Sequence, residues 1–201
     1  MIWITLYFSF YGMIFIVPLM LEHIGKSVDS VIFFLLGEPV AIIISLFLID
    51  SKSFGRKNLT FIGMLVGAFC YFIGYLVDRN ATIFVLFLCI VFTKLPFISV
   101  NPLSIELYQT HYRTMAVGFL YCIGRVGSII MPTITLSLFE ANTYLPYIGF
   151  GISMLLGSLF AYLVPYDTND RELDLPPGEV SSVKHGLEQI KEKNEELEVL
   201  K

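Results

Sequence analysis

Six apolar runs, each long enough to cross a bilayer, follow one another with only short polar breaks between them. They occupy 2–21, 31–49, 59–77, 83–100, 115–138 and 145–164. A hydrocarbon core about 30 Å thick takes about 20 apolar residues in helical form. Inside it every backbone N–H and C=O must find a partner within the protein, so only helices and closed barrels can cross. A barrel would show segments of alternating polarity, and the sequence has none. The expected fold is therefore all-α: an integral membrane bundle of six transmembrane helices. Breaks this short make successive helices antiparallel neighbours, with both ends of the bundle on one side. The bundle is assigned to 1–166, a polar linker to 167–178 and a C-terminal amphipathic helix to 179–201.

Charge sharpens this division. Of the 201 residues, 56 % are hydrophobic and 15 % charged, against about a quarter charged in an ordinary soluble domain. From Asp167 onward there are ten acidic and five basic residues, while the whole chain carries a net charge of −4. The acidity belongs to the tail, and the body is close to neutral. No basic patch suggests a nucleic-acid partner. The run that starts at Met1 has no basic residues before it and is long enough to span, so it is expected to be a span and not a signal peptide.

Lys and Arg in the loops set the orientation. Lys52, Arg56, Lys57 and Arg113 fall on the side of the tail, Lys26 and Arg79 on the other. The 50–58 loop, a polar hinge at 101–114 and the C-terminus are thus expected on the cytoplasmic or matrix side. The organelle stays open, with the mitochondrial inner membrane among the options. Gly63 and Gly67 form a GxxxG, expected to serve close packing within the bundle and not a dimer face. Cys70, Cys89 and Cys122 lie singly in apolar runs, as small buried residues do.

Three ionisable residues interrupt the spans: Glu38, Lys94 and Arg125. A charge at that depth is costly and usually faces a cavity or a partner. Arg125 and Glu38 are the candidates for a substrate cavity, Arg125 as an anion site and Glu38 as a cation or proton site. The plainer alternative has Glu38 capping a break at Pro39, Lys94 reaching for the membrane surface and Arg125 pairing with Glu38 or with backbone carbonyls. His23, His111 and His185 share no ligand spacing. No nucleophile–base set, phosphate-binding loop, metal site or cofactor motif is present, and no enzymatic activity is expected.

The tail alternates spacings of three and four through Val180, Val183, Leu187, Ile190, Asn194 and Leu197, a heptad seam with one Asn on it. Val183, Leu187, Ile190, Asn194 and Leu197 are the candidates for docking on a partner helix. A solvated helix on the bundle or membrane surface is the alternative.

Four stretches resemble a known family. DSKSFGRK at 50–57 is similar to the D-x-x-G-R-[RK] loop that joins the second and third helices of each half in the major facilitator superfamily, with one extra residue before Gly55. ELYQTHYR at 106–113 resembles the E-x-Y-P-T-x-x-R hinge of its sugar and organic-ion transporters, Gln109 standing for the usual proline. GRVGSIIMP at 124–132 resembles the eleventh helix of the organic-ion branch, and PYDTNDREL at 165–173 the segment after the twelfth. The resemblance covers about 1–175 and leaves the heptad tail outside. It implies helices seven to twelve, the C-terminal half of such a transporter. It further implies that Asp50, Gly55, Arg56, Lys57, Glu106 and Arg113 form a cytoplasmic gate network, and that Arg125 faces substrate.

In that family the site lies between two six-helix halves, so a wall carrying Arg125 is incomplete alone. Two functions are compatible with this. The first is a transporter-derived accessory or structural subunit of a larger membrane complex, respiratory or mitochondrial, set in lipid and packed on other membrane subunits. The alternative is a transporter of organic ions, leaning to anions, assembled from two six-helix halves.

Overall fold

The computed structural model describes residues 1–23, 25, 28–49, 55–77, 81–108 and 110–164. Seven helices account for nearly all of them: α1 (Ile2–His23), α2 (Val28–Leu35), α3 (Gly37–Ile49), α4 (Arg56–Leu76), α5 (Thr82–Glu106), α6 (Thr110–Ala141) and α7 (Leu145–Tyr162). No strand occurs among the described residues. α2 and α3 are one span, interrupted at Leu36. Gly37 and Pro39 explain the interruption: proline is tolerated in a first turn but not inside a continuous helix. The six expected spans are therefore present.

The helices form two layers. α3, α5, α1 and α6 stand side by side in front, in that order, and α4 and α7 close the back. α4 packs on α5 and α7, while α7 packs on α1. Burial follows this plan. About half of α1 and α5 is buried, but only 17 % of α6 and 22 % of the α2–α3 span. The two flanking helices thus offer most of their apolar surface to lipid or to another protein.

Close approach depends on small residues. A Cβ on Gly63 would come within 2.9 Å of the Pro96 ring, and one on Gly67 within 2.9 Å of the Met154 methyl and 3.3 Å of the Phe92 carbonyl. That carbonyl is the one left without its helical donor by Pro96. The GxxxG of α4 thus seats the Pro96 turn of α5 inside the bundle, as expected. A Cβ on Gly127 would overlap the carbonyl of Ile4, so α6 and α1 touch backbone to backbone there.

Buried hydroxyls fasten helix to helix. Thr60 and Ser99 share a hydrogen bond of 2.7 Å, Tyr71 and Thr93 one of 2.9 Å, and the Trp3 indole donates to Ser104 at 3.0 Å. Such bonds within a bilayer average about 0.6 kcal/mol each. Their larger effect is on register, because an unmatched hydroxyl there has no water to turn to.

The polar hinge at 101–114 is shorter than its composition suggests. α5 continues through Pro102 to Glu106, and α6 begins at Thr110. Pro102 removes one backbone donor only, and the turn closes with Leu107 N–H donating to Leu103 O at 3.2 Å. Polarity here does not mark the end of the helix.

Candidate functional site

The front layer carries all three intramembrane charges. Glu38 lies in the first turn of α3, where the helix dipole favours an anion. Lys94 sits near the middle of α5 and donates to Glu38 Oε2 at 2.8 Å. The side chains of this pair are 16 % and 26 % exposed. Lys94 therefore does not reach for the membrane surface. Its ammonium lies 4.3 Å from the Phe10 ring centre and 5.6 Å from that of Phe97. Glu38 is engaged with Lys94, so it is not the counter-ion of Arg125.

Arg125, on α6, is held differently. Its guanidinium carbon stands 5.3 Å from the Tyr7 ring centre and 5.8 Å from that of Tyr11. The residue is exposed on this face, and among the described residues no carboxylate pairs with it. Gly124 and Gly127 bring α6 close enough to α1 for this contact. A Cβ on Gly124 would sit 3.0 Å from the Tyr7 ring.

The two cations share one aromatic platform. Tyr7 and Tyr11 are 5.4 Å apart, Tyr11 and Phe10 5.3 Å, Phe10 and Phe97 4.9 Å, and Tyr7 and Phe97 5.4 Å. Tyr7 and Phe10 are buried, and Tyr11 and Phe97 half-buried. Each cation–ring contact contributes about 0.5–2 kcal/mol, depending on how dry the site is. Toward the tail side the platform ends in Trp3, which meets Tyr121 edge-on at 4.8 Å. Tyr121 in turn donates to Asn101 Oδ1 at 2.6 Å, and the Asn101 amide donates to the Phe97 carbonyl at 2.8 Å. The wall thus combines cationic, aromatic and amide groups, and can hold an organic anion by charge and by ring contact.

A second cluster lies at the end of the bundle where α5 stops and α4 begins. Arg56 and Glu106 form an ion pair there. Each stands at the helix terminus that disfavours its charge, a base at an N-terminus and an acid at a C-terminus. The dipole opposes each placement by about 0.3–1 kcal/mol, so helix stability does not account for the positions and the mutual contact does. Gly55 precedes Arg56 with φ +57°, a conformation glycine adopts without strain. Lys57 follows in the first turn of α4. Arg113, in the first turn of α6, lines a cavity of about 390 Å³ with Ile105, Thr114, Val117, Gly118 and Tyr121. The structure therefore gathers Arg56 and Glu106, and places Gly55 and Lys57 beside them. Asp50 and the tail residues Val183, Leu187, Ile190, Asn194 and Leu197 lie outside the described residues.

Sequence reasoning underrated Lys94 and missed the platform. Lys94 pairs across 56 positions of sequence, a contact that no local pattern announces. Phe97 does carry a signal, three residues after Lys94 on the same helix face, and Tyr7 and Tyr11 share a face at a spacing of four.

The sequence model of the Major Facilitator Superfamily matches residues 2–194. The match runs past 175 and through most of the tail that the motifs left outside. Curated relatives include the Synaptic vesicle 2-related protein of Bos taurus, 28 % identical over 139 residues, and that of Rattus norvegicus, 26 % identical over the same length. The Putative transporter svop-1 of Caenorhabditis elegans is 26 % identical over 139 residues. The alignments cover 69 % of this chain and 25–26 % of each relative. The chain thus spans about a quarter of the length of the curated relatives it matches.

Proposed function

The chain belongs to the Major Facilitator Superfamily, and from that premise we propose that it is a six-helix half of a secondary transporter for organic anions. Its front layer of α3, α5, α1 and α6 faces a second six-helix half across a water-filled path. The observation that carries this reading is Arg125, an intramembrane cation set on tyrosine rings with no carboxylate against it among the described residues. A charge left in that state stands to gain a ligand of opposite sign, and its aromatic seat suits an organic one.

The Arg56–Glu106 pair serves as a lock at the cytoplasmic end, closing the path when the halves rock together there. The expectation of an accessory subunit gives way to transport. The family, and a relative named as a putative transporter, favour movement of solute, and nothing in the wall favours a protein partner over a ligand.

Reconstitution of the chain into liposomes, with its second half if a separate one co-purifies, tests the proposal. Wild-type protein is expected to take up a labelled organic anion such as benzoate, and Arg125→Ala to abolish that uptake while the protein still inserts. Uptake that does not depend on Arg125 would sink the assignment of this wall as the site.

A further inference from the structure

Building on that reading of the wall, we propose that Glu38 sets the charge of the ligand: by neutralising Lys94 it leaves Arg125 as the one uncompensated cation among the wall's described residues, so the site selects an organic monoanion with a planar apolar body over the corresponding dianion. The contact chain Arg125–Tyr11–Phe10–Lys94 has steps of 5.8, 5.3 and 4.3 Å. Two cations therefore stand at the two ends of one platform of rings. On positions alone, such a site would suit a dianion with one carboxylate at each end.

Glu38 removes that option. Its carboxylate already occupies Lys94 at hydrogen-bond distance. A second ligand carboxylate would have to displace it, leaving Glu38 facing like charge in a partly dry wall, where charges interact far more strongly than in water. Among the described residues between the two ends of the bundle, Glu38 is the acidic one and Lys94 and Arg125 are the basic ones. The wall therefore carries one net positive charge. Specificity of this kind rests on what the site rejects as much as on what it holds. The planar part of the ligand lies against Tyr11 and Phe97, the two half-buried rings of the platform, and its carboxylate meets Arg125.

The charge count makes distinct predictions for three variants. Glu38→Gln raises the wall to two positive charges and favours the dianion. Glu38→Gln combined with Lys94→Gln returns it to one and restores preference for the monoanion. Lys94→Gln alone lets Glu38 offset Arg125 and weakens both ligands. The probes are benzoate and terephthalate, which share a ring and differ by one carboxylate. Binding to the full chain in mild detergent is read as ligand-induced shift of the unfolding temperature, and competition is read against labelled benzoate in liposomes.

Wild type is expected to bind benzoate at least about tenfold more tightly than terephthalate, and Glu38→Gln to move that ratio about tenfold or more toward terephthalate. The double variant should recover the wild-type ratio. Should Glu38→Gln fail to fold, Lys94→Gln still decides, because the charge count predicts weaker binding of both ligands to the folded variant, whereas a purely structural role for the pair predicts unchanged affinity. A ratio unmoved by Glu38→Gln, or not restored in the double variant, overturns the inference. Wild type that binds benzoate and terephthalate equally overturns it while leaving the anion site standing. Wild type that binds neither removes both.

Discussion

Removing one member of the Glu38–Lys94 pair should destabilise the bundle, and the two single losses should be unequal. With Lys94→Gln, Glu38 stays as an unpaired carboxylate three-quarters buried against apolar side chains. With Glu38→Gln, Lys94 keeps its seat 4.3 Å from the centre of the Phe10 ring, a contact worth about 0.5–2 kcal/mol. Breaking a fully buried pair costs about 3–5 kcal/mol. The side chains here are 16 % and 26 % exposed, so about 2–3 kcal/mol is expected for Lys94→Gln and about 1 kcal/mol for Glu38→Gln, scaling the buried-pair figure for partial hydration. Replacing both should cost less than Lys94→Gln alone, because two amides can bond to each other and neither is charged. At about 2–4 °C per kcal/mol for a chain of this size, the single variants differ by several degrees. Thermal unfolding in mild detergent, followed through the chain's single tryptophan, reads this directly. Trp3 sits at the end of the same platform and reports its loosening. A double variant less stable than either single one, or Glu38→Gln more harmful than Lys94→Gln, would refute the picture of a seated lysine neutralised by Glu38.

Other expectations concern the packing that builds the wall. Gly67→Ala, which must displace the Met154 methyl and crowd the Phe92 carbonyl, should lower stability by about 1–3 kcal/mol. Gly118→Ala has open space around its Cβ and should be neutral or slightly stabilising, since alanine is the better helix former by about 1 kcal/mol. Paired unfolding curves check both. Gly55→Ala forces an L-residue to φ +57° and should cost about 1–3 kcal/mol, visible as faster proteolysis at the 50–58 loop. Ser104→Ala removes the acceptor of the Trp3 indole and should shift the emission of that single tryptophan, with a loss of about 1 kcal/mol in the same unfolding assay.

Much of this architecture is written locally in the chain. Six runs of spanning length fix six helices, because the bilayer leaves the backbone no other way to satisfy itself. Gly37 and Pro39 signal the interruption at Leu36, and the loop glycine Gly55 signals the turn into α4. Local reading failed where polarity and helix end do not coincide, as at 101–114, where polar residues stay helical to Glu106. It also failed where function depends on meetings between distant segments. Glu38 and Lys94 are each visible as oddities in apolar runs, yet their pairing depends on α3 and α5 being neighbours. The platform arises in the same way, since Phe97 reaches Tyr7 and Phe10 only once α5 lies against α1. Arg125 was legible because it stands out in its own span. What no local pattern shows is that, of the two intramembrane cations, it is the one with no carboxylate against it among the described residues.

Transport along this wall requires Arg125 to face water and not lipid. The direct measurement replaces Cys70, Cys89 and Cys122 with alanine or serine, introduces Arg125→Cys, and records labelling in intact liposomes by a membrane-impermeant sulfonated thiol reagent. Rapid labelling, comparable to that of a loop position, is the predicted result of the proposed aqueous path along the front layer. A position that resists the water-soluble reagent but reacts with a lipid-soluble maleimide would place Arg125 against the bilayer and contradict the account.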